Sequence, residues 1–155
     1  IERFRINKWK KTGIIWWNLI DGWPQFSDAV VDYFYNKKIA YSFIKRSQEP
    51  VALMVKEPKD GFLVLTAVNE FLKDISIKYK VTDLTEQAVI TEAEADVSSN
   101  GISELHKIPF DGDNCRFYVL EWEYGGEKYK NHYISGSAPY NYDKYVAWLR
   151  EAELI

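Results

Sequence analysis

The spacing of apolar positions changes character near residue 50. Beyond it the period is two. Ile75, Ile77, Tyr79 and Val81 alternate with Ser76, Lys78, Lys80 and Thr82, as in an antiparallel strand with one buried face. Val89–Val97 follows, with Val89, Thr91, Ala93 and Ala95 on one face and Ile90, Glu92 and Glu94 on the other. Further strands are predicted over 51–55, 62–71, 102–108, 116–124 and 127–134. Pro58 and Asp60-Gly61 end the first of these, and Gly125-Gly126 has the spacing of a two-residue hairpin. About seven short strands punctuated by turns predict a mainly β protein, an immunoglobulin-like β-sandwich over 50–137. Asn141 is placed to cap a last helix within 138–155, with Tyr142, Tyr145, Val146 and Leu149 on its inner face.

Before residue 50 the pattern is different. Residues 1–11 set Arg3, Arg5, Lys8, Lys10 and Lys11 around Phe4, Ile6 and Trp9. That is a basic patch for an acidic partner or an amphipathic helix end with a solvated face, and the net charge favours the second. Thr12-Gly13 breaks it. Ile14-Ile15-Trp16-Trp17-Asn18-Leu19 is an apolar run too short for a helix and rich in β-branched and aromatic residues, which predicts a strand buried on both faces. Such strands belong to parallel sheets, and nothing else in the chain offers a parallel partner. Residues 20–27 read as a loop broken by Gly22 and Pro24. Asn36 is a candidate cap for a helix over about 37–47, with Ile39 or Ala40, Phe43 and Ile44 as its apolar stripe.

Composition narrows the classes. The 155 residues suffice for one ordinary domain but fall short of the roughly 250 of a whole (β/α)8 barrel. Lys+Arg at 20 against Asp+Glu at 23 argues against a nucleic-acid surface, and no apolar stretch is long enough to span a membrane. One cysteine, Cys115, and two histidines do not make a usual zinc site. No metal or organic cofactor is expected. His106 and His132 lie far apart among polar neighbours and read as structural, Glu92-Ala93-Glu94-Ala95-Asp96 as a solvated strand face, and Trp122 as sandwich core.

The chemically informative segment is Trp16–Pro24. A large aromatic at the C-terminal end of a buried parallel strand is where barrel enzymes place substrate contacts. An indole face stacks on the apolar face of a pyranose ring, while Asn and Asp bind hydroxyls. Trp16 is expected to be core and Trp17 to be a sugar contact.

The run Gly13-Ile14-Ile15-Trp16-Trp17-Asn18-Leu19-Ile20-Asp21-Gly22-Trp23-Pro24, with Ser27 and Val31-Asp32-Tyr33, resembles the end of the catalytic barrel in glycoside hydrolase family 2. It is most similar to β-mannosidase-like members, which carry a W-Q-L-N-D-x-W-P pattern on the eighth strand. Lys37-Lys38-Ile39-Ala40-Tyr41 through Lys45-Arg46 resembles the helix that closes that barrel. Val68-Asn69-Glu70, Val81-Thr82-Asp83 and Asn131-His132-Tyr133 resemble the family's C-terminal immunoglobulin-like domain. The resemblance implies that Trp17 floors the sugar subsite, that Asn18 stands at the Gln, and that Asp21 and Trp23-Pro24 stand at the Asp and the Trp-Pro. Ile20 replaces the usual Asn, and Asp28 sits where many members carry an aromatic. No residue here matches either catalytic glutamate of the family, both of which lie on earlier barrel strands.

Together these readings predict a tail of a catalytic (β/α)8 barrel over 1–49, carrying its last strand and helix, then the sandwich, then a short C-terminal helix. The expected function is that of a C-terminal fragment of a retaining exo-β-glycosidase, inactive alone, with Trp17, Asn18, Asp21 and Trp23 binding a β-linked sugar in the intact parent. The alternative is a non-catalytic carbohydrate-binding or scaffold sandwich. Exposed aromatics in a row on one sheet face would favour sugar binding by it, and inward-pointing ones a scaffold. Self-association through residues 1–35 is expected, because an apolar strand without its neighbours exposes an unpaired edge. Any targeting segment would lie upstream, which leaves a cytoplasmic and a periplasmic or secreted location equally open.

Overall fold

The structure, a computed structural model, describes residues 1–112 and 114–155. The chain forms two compact units, Ile1–Glu49 and Pro50–Ile155.

The second unit is a β-sandwich. Its strands are β1 (Val51–Lys59), β2 (Phe62–Asn69), β3 (Ile75–Asp83), β4 (Ala88–Val97), β5 (Ile102–Pro109), β6 (Arg116–Tyr124) and β7 (Glu127–Ser135). One sheet runs β1-β2-β5 and the other β4-β3-β6-β7, with antiparallel pairing throughout. An immunoglobulin constant-type sandwich puts its fourth strand in the sheet of the first two. Here β4 pairs with β3 instead, from Ile75↔Val97 to Asp83↔Ala88. The alternation in β3 is as the sequence predicts: Ile77, Tyr79 and Val81 are buried while Ser76 and Lys78 are exposed. Gly125 and Gly126 adopt positive φ in the β6–β7 turn, the backbone that a type I′ hairpin needs at both positions.

Trp122 is core, as expected. Its Nε1 donates across the sandwich to the carbonyl of Val51 at 2.9 Å, and its ring stacks on Tyr129. β6 is buried without alternation from Phe117 to Leu120 because both its faces are covered. The outer cover is a helix, α3 (Tyr142–Glu151), whose Trp148 stacks on Phe117 while Tyr145 meets His132 at 2.9 Å. Asn141 caps α3 by accepting from the Lys144 amide at 2.9 Å. Tyr142, expected on the inner face, is instead largely exposed, since the inward stripe begins one turn later at Tyr145.

The first unit contains α1 (Glu2–Arg5) and α2 (Ile39–Ser47) joined by irregular chain. Arg5 donates to the carbonyls of Ser47 and Glu49, satisfying groups at the end of α2. The helix start differs from expectation. Asn36 caps nothing: its amide and side chain both bond Asp32 within a turn, and α2 begins at Ile39 after Lys38. Residues 14–19 form no strand. Ile15 is 95% exposed, and the nearest regular feature is a single parallel bridge from Ile20 to Val31. A strand that pairs on both sides needs neighbours, and this unit has isolated bridges only, of which Ile20–Val31 alone borders the segment. Ile39 and Ala40, expected in the apolar stripe of α2, are exposed.

A clamped loop beside exposed indoles

Within the first unit, Asp21 is the only candidate site residue that the chain draws inside. The backbone first closes the loop: the Val31 amide donates to Leu19, and the Asp21 amide donates back to Val31 at 3.0 Å. Ala29 and Val30 are buried at the base, and the Lys38 amide donates to Val30. The Asp21 carboxylate then sits where the loop converges. Its Oδ1 accepts from the Ser27 hydroxyl and, at 3.4 Å, from the Gln25 amide. Its Oδ2 accepts from the Lys38 ammonium at 2.9 Å, and the same ammonium donates to the Ser27 carbonyl at 3.1 Å. The Ala29 amide donates to Ser27 Oγ, so the hydroxyl is fixed as well.

A buried carboxylate is tolerated only when its charge and lone pairs are compensated. Here the Ser27 hydroxyl, then the Lys38 ammonium, hold the Asp21 carboxyl below its ordinary range. Asp21 was expected to bind sugar hydroxyls. In this chain both of its oxygens are engaged by Ser27, Gln25 and Lys38, which ties the loop. Lys38 and Ser27 were not singled out as site residues, although the need of any buried aspartate for a cation and a donor was the signal that could have found them.

The other three predicted residues stand outside the clamp. Trp17 is 77% exposed and Trp23 63%, so both indoles are largely open to solvent. Asn18 is exposed with φ +65°, a left-handed conformation that Asn tolerates better than most residues and that turns the chain between Trp17 and Leu19. The segment therefore presents apolar ring faces on a backbone whose loop is tied by a buried ion pair. Rings of this kind can stack on a sugar or other flat apolar face. The clamp has no free carboxylate for acid–base chemistry.

The sandwich carries its own polar cluster. Asp83, fully buried, accepts from the amides of Thr85 and Glu86, and its Oδ2 lies 2.9 Å from Arg116, which also pairs with Glu86. Burial raises the Tyr118 phenol beside them. This arrangement holds the β3–β4 turn to β6. Among the described residues no group of three His, Cys, Asp or Glu is placed to hold a metal ion, and no helix is long and apolar enough to cross a membrane.

No protein-family model and no curated protein matches the chain. Among solved structures, it is similar to a β-D-mannosidase from Dictyoglomus thermophilum, with a TM-score of 0.70 and 23% identity. The match covers 87% of this chain and 17% of that one, so the chain corresponds to a small part of the mannosidase. The matched share exceeds what the unit Pro50–Ile155 alone would provide, so it extends into Ile1–Glu49. The chain thus has a β-sandwich fold of the kind found in part of a glycoside hydrolase.

Proposed function

We propose that this chain is the C-terminal part of a retaining exo-β-glycosidase of the family 2, β-mannosidase-like type. In that enzyme Trp17, Asn18 and Trp23 border the sugar subsite, and the Asp21–Lys38 pair fixes the loop that carries Trp23. The observation that carries the reading is the open indole of Trp17 next to this clamped loop, in a segment that also bears the Trp-Asn-Leu-Ile-Asp-Gly-Trp-Pro pattern. The likeness to part of a β-D-mannosidase supports it. The two carboxylates of a retaining mechanism, about 5–5.5 Å apart, would come from barrel strands outside this chain.

The sandwich serves as a scaffold in this reading. Tyr79 and Trp122 are buried in it, Phe117 is buried beneath α3, and the outer sheet face beside α3 carries charged side chains rather than a row of aromatics. The test has two arms. The 155-residue chain should hydrolyse aryl β-mannoside, β-galactoside and β-glucuronide no faster than buffer. In the full-length glycosidase, Trp17→Ala should lower kcat/KM by about tenfold or more with the melting temperature unchanged, since stacking is lost while the carboxylates remain. Turnover by the chain alone, abolished by one acidic substitution, would overturn the proposal. So would a Trp17→Ala enzyme of full activity and reduced stability.

A further inference from the structure

The outer face of the four-stranded sheet has an ordered charge pattern. Reading across β4, β3, β6 and β7, one row is Glu92, Lys80, Glu121, Lys130. The next row, two residues along each strand, is Glu94, Lys78, Glu123, Lys128. Acid and base alternate without a break in both. The rows flank a groove of about 570 Å³ whose floor is the strand backbone at Tyr79, Ala93, Trp122 and Tyr129.

Neighbouring strands neutralise these charges only in part. Lys78 and Glu94 lie 3.4 Å apart with both side chains at least 70% exposed, and Lys130 reaches Glu121 only at 3.9 Å while pairing more closely, at 2.7 Å, with Glu153 just beyond α3. Lys80, Glu92, Glu123 and Lys128 have no ion-pair partner among the described residues. Half of the lattice is thus unspent.

An alternating row of four becomes its own complement when turned end for end. The geometry points to a second copy of this chain as the partner of the face, docked about a twofold axis parallel to the strands between β3 and β6. That axis sets Glu92 over Lys130 of the second copy and Lys80 over its Glu121. In the other row it sets Glu94 over Lys128 and Lys78 over Glu123. A twofold running across the strands would instead set Glu92 over Glu94 and Lys80 over Lys78, like on like, so the pattern selects one orientation. Such self-complementarity is what an isologous interface requires. Charge pairing of this kind sets orientation and encounter rate more than strength, and it is screened by salt.

The test is a charge exchange in the 155-residue chain, read by sedimentation velocity. The wild type should dimerise at about 0.01 M salt and dissociate toward about 1 M, as the screening length shrinks from about 30 Å to about 3 Å. Lys78→Glu/Lys80→Glu places acid over acid in a homodimer, and Glu121→Lys/Glu123→Lys places base over base. Each variant alone should associate at least about tenfold more weakly than wild type. Mixed one to one, all eight positions become complementary and the heterodimer should form. Circular dichroism checks folding of both, and the pair Glu92→Lys/Glu94→Lys with Lys128→Glu/Lys130→Glu repeats the exchange on outer positions should the first pair unfold. A monomeric wild type at low salt overturns the inference. So does a dimer indifferent to salt and to these substitutions, or a mixture that stays monomeric.

Discussion

Asn69 offers the sharpest test of how the sandwich is held together. It ends β2, in the three-stranded sheet, yet its side chain reaches the end of β4 in the other. Nδ2 donates to the carbonyls of Lys73 at 2.8 Å and of Val97 and Ser98 at 3.1 Å, while Oδ1 accepts the Phe71 amide at 2.9 Å. The residue is fully buried. Asn69→Leu keeps the approximate volume and removes two donors and one acceptor. The carbonyls of Lys73 and Ser98 are near loops and can turn to water, but the bond to Val97 is buried. Two donors and one acceptor at about 1 kcal/mol each, plus about 1–2 kcal/mol for a stranded buried group, give a loss of about 4–5 kcal/mol. That is a large share of the roughly 5–15 kcal/mol of an ordinary domain.

Asn69→Asp makes the argument chemical. It preserves shape and the acceptor toward Phe71 but turns an oxygen toward three carbonyls. The neutral acid can donate to one of them and the carboxylate to none, so the folded state raises the pKa of the introduced acid above its unfolded value near 3.9. The folded form then binds the extra proton, which makes the variant's relative stability greatest in acid and lost as pH rises through the raised pKa. Urea unfolding followed by circular dichroism should show the gap between Asn69→Asp and wild type narrowing from pH 7 to pH 4. An Asn69→Leu protein within about 1 kcal/mol of wild type would refute the inter-sheet pin, as would a gap that widens in acid.

Three other outcomes are expected. Trp122→Phe leaves the Val51 carbonyl without its 2.9 Å donor and a void where the indole was, and should cost about 2–4 kcal/mol in the same unfolding assay. Lys38→Met should speed hydrogen exchange of the amides of residues 22, 23 and 25–29 while those of β3 and β6 stay protected. Because the Asp21 carboxyl is held below its ordinary 3.8, its contribution is present above that value and lost as pH falls through the folded pKa. Exchange in the loop should rise only in strong acid, and Asp21→Asn should abolish that dependence. Finally, Ile15→Ser/Trp16→Lys should reduce whatever association of the chain persists at about 1 M salt, where charge pairing is screened; an unchanged sedimentation coefficient there would remove residues 1–35 from the contact.

The sandwich was legible because its signals are local. Alternation in β3, the Gly125-Gly126 turn and the Asn141 cap each act within a few residues, and each is found where the pattern puts it. The unbroken burial of Phe117–Leu120 depends on α3 arriving from later in the chain, so no window over β6 could foresee it. The pairing of β4 with β3 rather than with the other sheet is equally non-local. The alternating rows of Lys and Glu could be seen strand by strand as solvated faces. Their end-for-end complementarity exists only once the order β4-β3-β6-β7 is known.

Residues 14–23 fail in the opposite way, and the failure is informative. Hydrophobic periodicity reports the surroundings for which a segment was selected, not those it has in one chain. Ile14–Leu19 reads as a strand buried on both faces, yet Ile15 and Trp17 lie open and the backbone is irregular. If such apolarity were incidental, the polar positions of the segment should be equally unorganised. They are not. Asp21 is buried and doubly bonded, Ser27 is fixed by the Ala29 amide, and Lys38 closes the loop from the entrance to α2. A loop held this firmly, carrying indoles this exposed, has the organisation of a binding rim: the polar groups fix the shape and leave the apolar faces free to meet another surface. That asymmetry between a satisfied carboxylate and unsatisfied rings is why we propose sugar contact for Trp17 and Trp23, and for Asp21 the task of holding Trp23 in place.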